Sequence, residues 1–228
     1  MPTSPSVIFF DVNETLLDLQ PVKKSVARAL GGREELVSVW FTTLLQYSLV
    51  ATVGDHYTDF GSIGAATLRM VARQNGMDLS EAEAKEVLKP IRSLPPHADV
   101  SDGLHRLKES GFRLFTLTNS ATGALNDQMT NSGLKPFFED LYSVESVGRF
   151  KPHRDVYAWA SEQVGEAPEN CMLVAAHGWD IAGAGWAGMR TAFIERPGQT
   201  LYPLAERPDY SVPTLIELAK RLVAGTND

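Results

Sequence analysis

The chain has little cysteine, little positive charge and no long apolar run. Cys171 is the only cysteine in 228 residues, so an intrachain disulfide is impossible and a reducing compartment is the default. Lys and Arg number 21 against 28 Asp and Glu, which gives a formal charge of -7. Nucleic acid is therefore not an expected partner, and an anionic ligand would need a local positive group.

The first residues carry no basic segment followed by an apolar stretch, and no run approaches the roughly 18 apolar residues of a membrane-spanning helix. We therefore expect a cytoplasmic protein that makes no membrane contact. The hydrophobic fraction of 43% is enough for a sizeable core.

Short apolar runs alternate with helical patterns over the last 130 residues. Alternation of this kind predicts an α/β fold, a Rossmann-like doubly wound parallel sheet. The predicted strands are Val7–Phe10, Arg113–Leu117, Leu141–Val144, Met172–Ala175 and Arg190–Ile194. The predicted helices between them are Ser101–Ser110, Thr122–Ser132, Arg154–Val164 and Trp179–Ala187.

Residues 16–97 carry helical patterns and no convincing strand. Because this insert follows the first strand, it would lie over the carboxyl ends of the sheet, where open α/β folds bind ligands. We predict an all-helical cap domain at 16–97 and a core domain made of 1–15 and 98–228. The predicted cap helices are Val22–Leu30, Glu34–Val50, Gly64–Asn75 and Ser80–Leu88, with hinges near Asp18–Pro21 and Leu94–Ala98.

Four polar residues follow predicted strands in a characteristic order. Asp11 ends the first apolar run, and Thr118, Lys151 and Asp180 follow three later ones. This order resembles that of the haloacid dehalogenase superfamily, whose first motif is hhhDxxxT with a nucleophilic Asp. The resemblance covers nearly the whole chain. A nearby cation keeps a carboxylate nucleophile ionised, and Lys151 is the expected cation.

Two positions separate this chain from the phosphatases of that superfamily. Phosphatases typically have a second Asp two residues after the nucleophile, where this chain has Asn13, which cannot act as an acid or base. Their fourth motif usually supplies paired acids for Mg²⁺, whereas this chain offers Asp180 alone. We therefore expect neither a metal nor another cofactor.

The remaining pattern is similar to the L-2-haloacid dehalogenase branch. AAHGWDIAGA around Asp180 matches the branch pattern SSNGWDxxGA, and Tyr157 lies six residues after Lys151 as in that branch. The resemblance implies that Asp11 displaces halide from a small 2-haloacid and that water then hydrolyses the resulting ester. The substrate-binding residues that it implies are Val12, Thr15, Phe41, Thr118, Asn119, Tyr157 and Trp179.

Three residues depart from the branch pattern. Phe41, after Trp40, stands where the branch has an arginine that cradles the halide, so only ring edges remain there. His177 replaces an asparagine, and Glu14 replaces a glycine. We predict that Glu14 orients His177, which would act as a general base with a pKa near neutrality. The alternative is a hydrogen-bonded His177 in a loop beside a solvated Glu14.

Other functions remain open at this point. A phosphatase with an altered metal site and a non-catalytic binding protein on the same fold are the alternatives to a dehalogenase. The amphipathic cap helices would also suit a dimer interface, as in related dehalogenases, so a homodimer is the expected assembly.

Overall fold

The computed structural model describes residues 5–225, and its centre is a six-stranded sheet. The strands are β1 (Val7–Phe10), β2 (Arg113–Thr118), β3 (Asp140–Ser143), β4 (Cys171–Ala175), β5 (Arg190–Ile194) and β6 (Tyr210–Val212). Their order is β3-β2-β1-β4-β5-β6, and each neighbouring pair is parallel. The predicted Rossmann-like α/β class is confirmed, and β6 is a strand that the sequence analysis missed.

Strand β1 lies in the middle of the sheet because its four apolar residues can be buried on both faces. Phe10 lies opposite Thr116 on one side and Val174 on the other. The backbone N–H of Asp11 continues this ladder by donating to the Val174 carbonyl at 3.0 Å. Asp11 is thereby fixed at the carboxyl end of the sheet, where the strand order reverses between β1 and β4.

The segment between β1 and residue 97 forms helices, as the sequence predicts. Its helices are α1 (Gln20–Ala29), α2 (Glu35–Val53), α3 (Phe60–Gln74) and α4 (Glu81–Leu88), followed by a 3-10 turn at Lys89–Ser93. The two connections to the core run side by side: Asp18 N–H donates to the Pro95 carbonyl at 2.8 Å, and His97 N–H donates to the Leu16 carbonyl at 2.9 Å. The domain boundaries at 16 and 97 stay a prediction.

Helix α2 corrects the expectation about apolar runs. It has 19 residues, and one 18-residue window has a mean hydropathy of 1.5, enough by length and composition alone to cross a membrane. Polar Thr and Ser residues interrupt the apolar run, so the helix does not stand out as a continuous apolar segment in the sequence. Its buried stripe consists of residues at four-residue spacing, namely Leu36, Trp40, Leu44, Ser48 and Thr52. The core helices of soluble proteins can have the same length and hydropathy. Helix α2 is therefore only weak evidence that the chain spans a membrane.

The remaining helices flank the sheet. They are α5 (Val100–Glu109), α6 (Thr122–Asn131), α7 (Arg154–Val164), α8 (Gly178–Trp186) and α9 (Leu215–Gly225). Two residues separate the end of β4 from the start of helix α8, and this short turn places His177 and Asp180 beside the end of β1. The sheet and these helices thus bring four separate segments of sequence to one edge.

Candidate active site

Asp11 lies at the centre of a buried hydrogen-bonded cluster. Its Oδ1 accepts from the Lys151 ammonium at 3.0 Å, and its Oδ2 accepts from the Thr15 hydroxyl at 2.8 Å. Burial raises the pKa of the Asp11 carboxyl, but the charges of Lys151 and His177 outweigh that effect and hold this pKa well below its usual range. Asp11 is therefore an ionised, oriented carboxylate at neutral pH.

Lys151 joins two carboxylates that are distant in sequence. Its ammonium donates to Asp180 Oδ2 at 2.6 Å and to the Leu117 carbonyl at 2.8 Å, in addition to Asp11. The side chain has no exposed surface. Burial lowers the pKa of Lys151, and the two carboxylates more than reverse this, so the residue remains charged. Tyr157 completes the cluster by donating to Asp180 Oδ1 at 2.6 Å.

Residues predicted to bind substrate surround this cluster. Thr15 both donates to Asp11 and accepts from the Ala176 N–H at 2.9 Å, which joins the ends of β1 and β4. Asn119 Oδ1 accepts from the Lys151 N–H at 3.0 Å, and Thr118 Oγ1 accepts from the Ser120 N–H at 3.2 Å. Val12 is fully buried. These side chains are brought to the same edge of the sheet, and their contact with substrate stays a prediction.

Glu14 adopts an unusual backbone conformation. Its φ is +63°, in the left-handed region that favours glycine, the residue that the dehalogenase pattern has at this position. The Leu17 carbonyl accepts from its N–H at 2.9 Å, and His97 Nε2 lies 3.0 Å from its carbonyl. Its side chain is buried, which excludes the solvated Glu14 of the alternative prediction. A side chain with a Cβ is strained in this conformation, so the surrounding contacts must hold Glu14 there.

His177 makes one contact with each of two carboxylates. Nδ1 lies 3.1 Å from Asp11 Oδ2, and Nε2 lies 3.0 Å from Glu14 Oε2. Burial lowers the pKa of His177, but the two carboxylates raise it to about 9. The predicted contact with Glu14 is present. The expectation of a pKa near neutrality was wrong, because sequence alone did not show that Asp11 also contacts this ring.

Two aromatic rings enclose the imidazole. Phe41 and Trp179 are nearly parallel to His177, with ring centroids 6.2 Å and 5.2 Å away. Phe41 reaches the site from α2, so the cap supplies one wall. The Trp40 indole N–H donates to the Gly64 carbonyl at 3.0 Å and is therefore already bonded. The dehalogenase pattern has an arginine at position 41, but Phe41 carries no charge. Beside this ring, the positive charge is on His177, which belongs to the core domain.

Asn13 is held by residues that the sequence analysis did not select. Its Nδ2 donates to Ser120 Oγ at 3.1 Å, and its Oδ1 accepts from Gln128 Nε2 at 2.9 Å. Gln128 comes from α6 and also donates to the Ile91 carbonyl at 3.0 Å. The amide that replaces the phosphatase carboxylate is thus fixed by neutral groups on both sides.

Three further residues were missed because they contact the site only through Glu14 and Thr15. The Lys23 ammonium forms an ion pair with Glu14 Oε1, and Gln199 Nε2 donates to Glu14 Oε2 at 3.1 Å. Arg196 donates to the Thr15 carbonyl at 3.0 Å. A lysine at the start of the first cap helix was the only sequence signal for any of them. Gln199 and Arg196 lie in a loop whose path no local pattern predicts.

An open cleft of about 550 Å³ reaches Glu14 from outside. Lys23, Gln199 and Phe41 line it beside Glu14, whereas Asp11 and His177 do not. A second, smaller cavity of about 50 Å³ is apolar. Its lining includes Asn13, Trp40, Phe41, Leu44 and Phe60. Glu14 is therefore the charged group between the cleft and the buried cluster.

A parallel sheet with a helical insert and a buried Asp11–Lys151 pair at the strand ends is an arrangement that suits a hydrolase. The family model for haloacid dehalogenase-like hydrolases matches residues 5–188, and the chain belongs to that family.

Relatives match over almost the whole chain. Haloacetate dehalogenase H-2 of Moraxella sp. (strain B) is 30% identical over 209 residues, which are 91% of this chain and 93% of that protein. An (S)-2-haloacid dehalogenase of Xanthobacter autotrophicus is 30% identical over 96% of this chain and 94% of its own length. The structure of the L-2-haloacid dehalogenase of Xanthobacter autotrophicus with chloropropionic acid covalently bound aligns with a TM-score of 0.89 and 28% identity, covering 97% of this chain and 99% of that one.

Proposed function

We propose that the chain converts short-chain (S)-2-haloacids into (R)-2-hydroxyacids through an ester on Asp11. The chain is a hydrolase that acts on carbon–halide bonds, and its relatives are named for the same haloacid chemistry. The observation that carries the proposal is the geometry of Asp11, an ionised carboxylate held by Lys151 and Thr15 at the end of a buried strand.

In the first step, a carboxylate oxygen of Asp11 attacks C2 of the substrate, and halide leaves from the opposite side. In-line attack inverts C2, so an S substrate gives an R product. Lys151 keeps the nucleophile ionised and is itself fixed by Asp180. Thr118 and Asn119 would hold the substrate carboxylate from the end of β2.

In the second step, water attacks the carbonyl carbon of the Asp11 ester. His177 Nδ1 lies 3.1 Å from Asp11 Oδ2 and is therefore placed to take a proton from a water that attacks there. Glu14 contacts the other ring nitrogen, Nε2. Such a general base contributes roughly 10²- to 10⁴-fold to rate. The His177–Glu14 pair is thus the proposed water-activating group.

Asn13 argues against the phosphatase alternative, since an amide bonded to Gln128 and Ser120 offers no acid for a leaving phosphate ester. Release of phosphate from small phosphoesters only with added Mg²⁺ would instead support the phosphatase.

The decisive experiment is one turnover in ¹⁸O water, with enzyme in excess over (S)-2-chloropropionate. Water that attacks the ester carbonyl leaves its oxygen in Asp11, so the peptide containing Asp11 gains one label and the first hydroxyacid formed carries none. Label in the hydroxyacid alone would refute the ester. Equal rates with and without EDTA are expected, since no metal takes part in either step.

The His177→Asn variant separates the two steps. We expect halide release in a single burst equal to the enzyme concentration, followed by an accumulated ester that intact-protein mass spectrometry detects. Full steady-state turnover without accumulated ester would remove His177 from the mechanism and leave the ester itself unaffected.

We further propose that the protein acts in the cytoplasm as a homodimer formed through α2. The support is the outer face of this helix, where Val39, Val50 and Val53 are exposed although they are apolar. Apolar surface grouped along one helix is typical of an interaction site.

A further inference from the structure

The two carboxylates around His177 do not have the same fate during catalysis. Glu14 keeps its charge throughout, whereas Asp11 loses its charge when it becomes an ester. The ring nitrogens lie 3.1 Å from Asp11 and 3.0 Å from Glu14, so both contacts are direct. A change in the charge of Asp11 must therefore change the pKa of the His177 imidazole.

A carboxylate can only accept a hydrogen bond, so an imidazole with a carboxylate beside each nitrogen needs an N–H on both nitrogens. Only the imidazolium has two N–H groups, and a neutral ring has one donor and one acceptor. While Asp11 is ionised, the protonated ring satisfies both contacts. In that form it has no free lone pair with which to act as a base.

We infer that esterification of Asp11 converts His177 from an imidazolium into a neutral base whose remaining proton is on Nε2. This inference rests on the proposed function. Glu14 selects that tautomer, because its carboxylate accepts only from an N–H. The lone pair of Nδ1 then faces the ester, where the attacking water needs it.

The proton balance agrees with this sequence of states. When the ester forms, the Asp11 oxygen bonds to C2, the carbon–halogen bond breaks, and the Nδ1 proton passes to water. When water adds to the ester carbonyl, one of its protons goes to Nδ1 and the other goes to the departing C2 oxygen. The hydroxyacid then leaves and the Asp11 carboxylate returns. One haloacid and one water thus give one hydroxyacid, one halide and one proton.

The groups around His177 indicate that Asp11 is the neighbour whose charge changes during the reaction. The imidazole lies between the rings of Phe41 and Trp179, which carry no charge. Burial lowers the pKa of His177, and Asp11 and Glu14 together raise it to about 9. The other charged groups act through these two carboxylates: Lys23 on Glu14, and Lys151 with Asp180 on Asp11.

The test is titration of His177 by ¹⁵N NMR in the full chain, comparing the wild type with Asp11→Asn, whose neutral amide imitates the charge of the ester. His177→Asn identifies the signal among the five histidines. We expect the midpoint to fall by at least about one pH unit in Asp11→Asn. At a pH above that lowered midpoint, the neutral ring in Asp11→Asn should carry its proton on Nε2 alone.

The matched control is Asp18→Asn, which removes a carboxylate that caps the Gln20 N–H in the same loop and does not contact His177. Its midpoint should equal that of the wild type. An unchanged midpoint in Asp11→Asn, or a neutral ring protonated on Nδ1, overturns the inference. Because Asp11→Asn forms no ester, this result is independent of the turnover assays that decide the proposed function.

Discussion

His177 Nε2 lies 3.0 Å from Glu14 Oε2, although 163 positions separate the two residues in sequence. The contact depends on two tight turns, one after β1 and one after β4. The turn after β1 requires the left-handed backbone of Glu14, which glycine would adopt without strain. The strain and the contact therefore occur at the same residue.

Glu14→Gly should leave the fold intact and slow the second step. Glycine relieves a left-handed conformation that costs about 1 kcal/mol, which offsets part of the lost side-chain bonds. We expect hydrolysis of the ester to slow by roughly 10²-fold, as for loss of general-base assistance. Rapid-quench mass spectrometry of the ester measures this rate. Glu14→Gln, which keeps the strain and removes the charge, is the control; wild-type hydrolysis in both variants would exclude a role for Glu14.

The free energy of unfolding should fall as the pH rises from about 6.5 to about 9. The pKa of His177 is about 9 in the folded chain against 6.5 as its ordinary value, so its stabilising contribution is complete below the lower value and is lost through the higher one. A shift of this size corresponds to about 3 kcal/mol. Urea unfolding across this pH range measures it. His177→Asn should flatten the dependence, and an unchanged slope would contradict the assignment.

Lys151→Met should destabilise the fold strongly. It leaves the carboxylates of Asp11 and Asp180 buried without their shared cation, a loss of about 3–5 kcal/mol for a broken buried pair. Urea unfolding at neutral pH measures the loss. Adding Asp180→Asn should recover part of the stability and none of the activity. A single variant as stable as the wild type would show that the cluster contributes little to folding.

Lys23→Met should move the acid limb of the ester-hydrolysis rate to higher pH. Lys23 lowers the pKa of Glu14, so its loss makes the carboxylate more basic and raises the pKa of His177 in turn. Single-turnover hydrolysis rates measured across pH report the shift. Lys24→Met is the matched control, because Lys24 lines the same cleft whereas the ion pair with Glu14 is made by Lys23. Equal profiles for both variants would reduce Lys23 to a structural role.

Val53→Glu together with Val50→Glu should produce a monomer if α2 forms the dimer interface. Both side chains are exposed on α2, so the charges cost little in an isolated chain but are disfavoured when buried between two chains. Light scattering coupled to size exclusion measures the mass. Lys85→Glu, on the exposed face of α4, is the control. A dimer that persists in the double variant would place the interface elsewhere.

The sequence by itself determined the sheet and the order of the motifs. Strands such as Val7–Phe10 are continuous apolar runs, and such runs ended by Asp11 or Thr118 indicate a parallel strand and its functional end without any knowledge of neighbours. Strand β6 was missed because Tyr210–Val212 has only three residues, too few for a period to show.

Only the tertiary structure decided the electrostatics of the site. The residue types at positions 14 and 177 predicted a contact between Glu14 and His177. The pKa of His177, however, depends on every charge near it, and Asp11 contacts the ring from the end of a different strand. Lys23 and Gln199 arrive from a cap helix and a distant loop, so no local spacing marks them. Local patterns follow from backbone periodicity, whereas a charge environment follows from distances between segments that only folding sets.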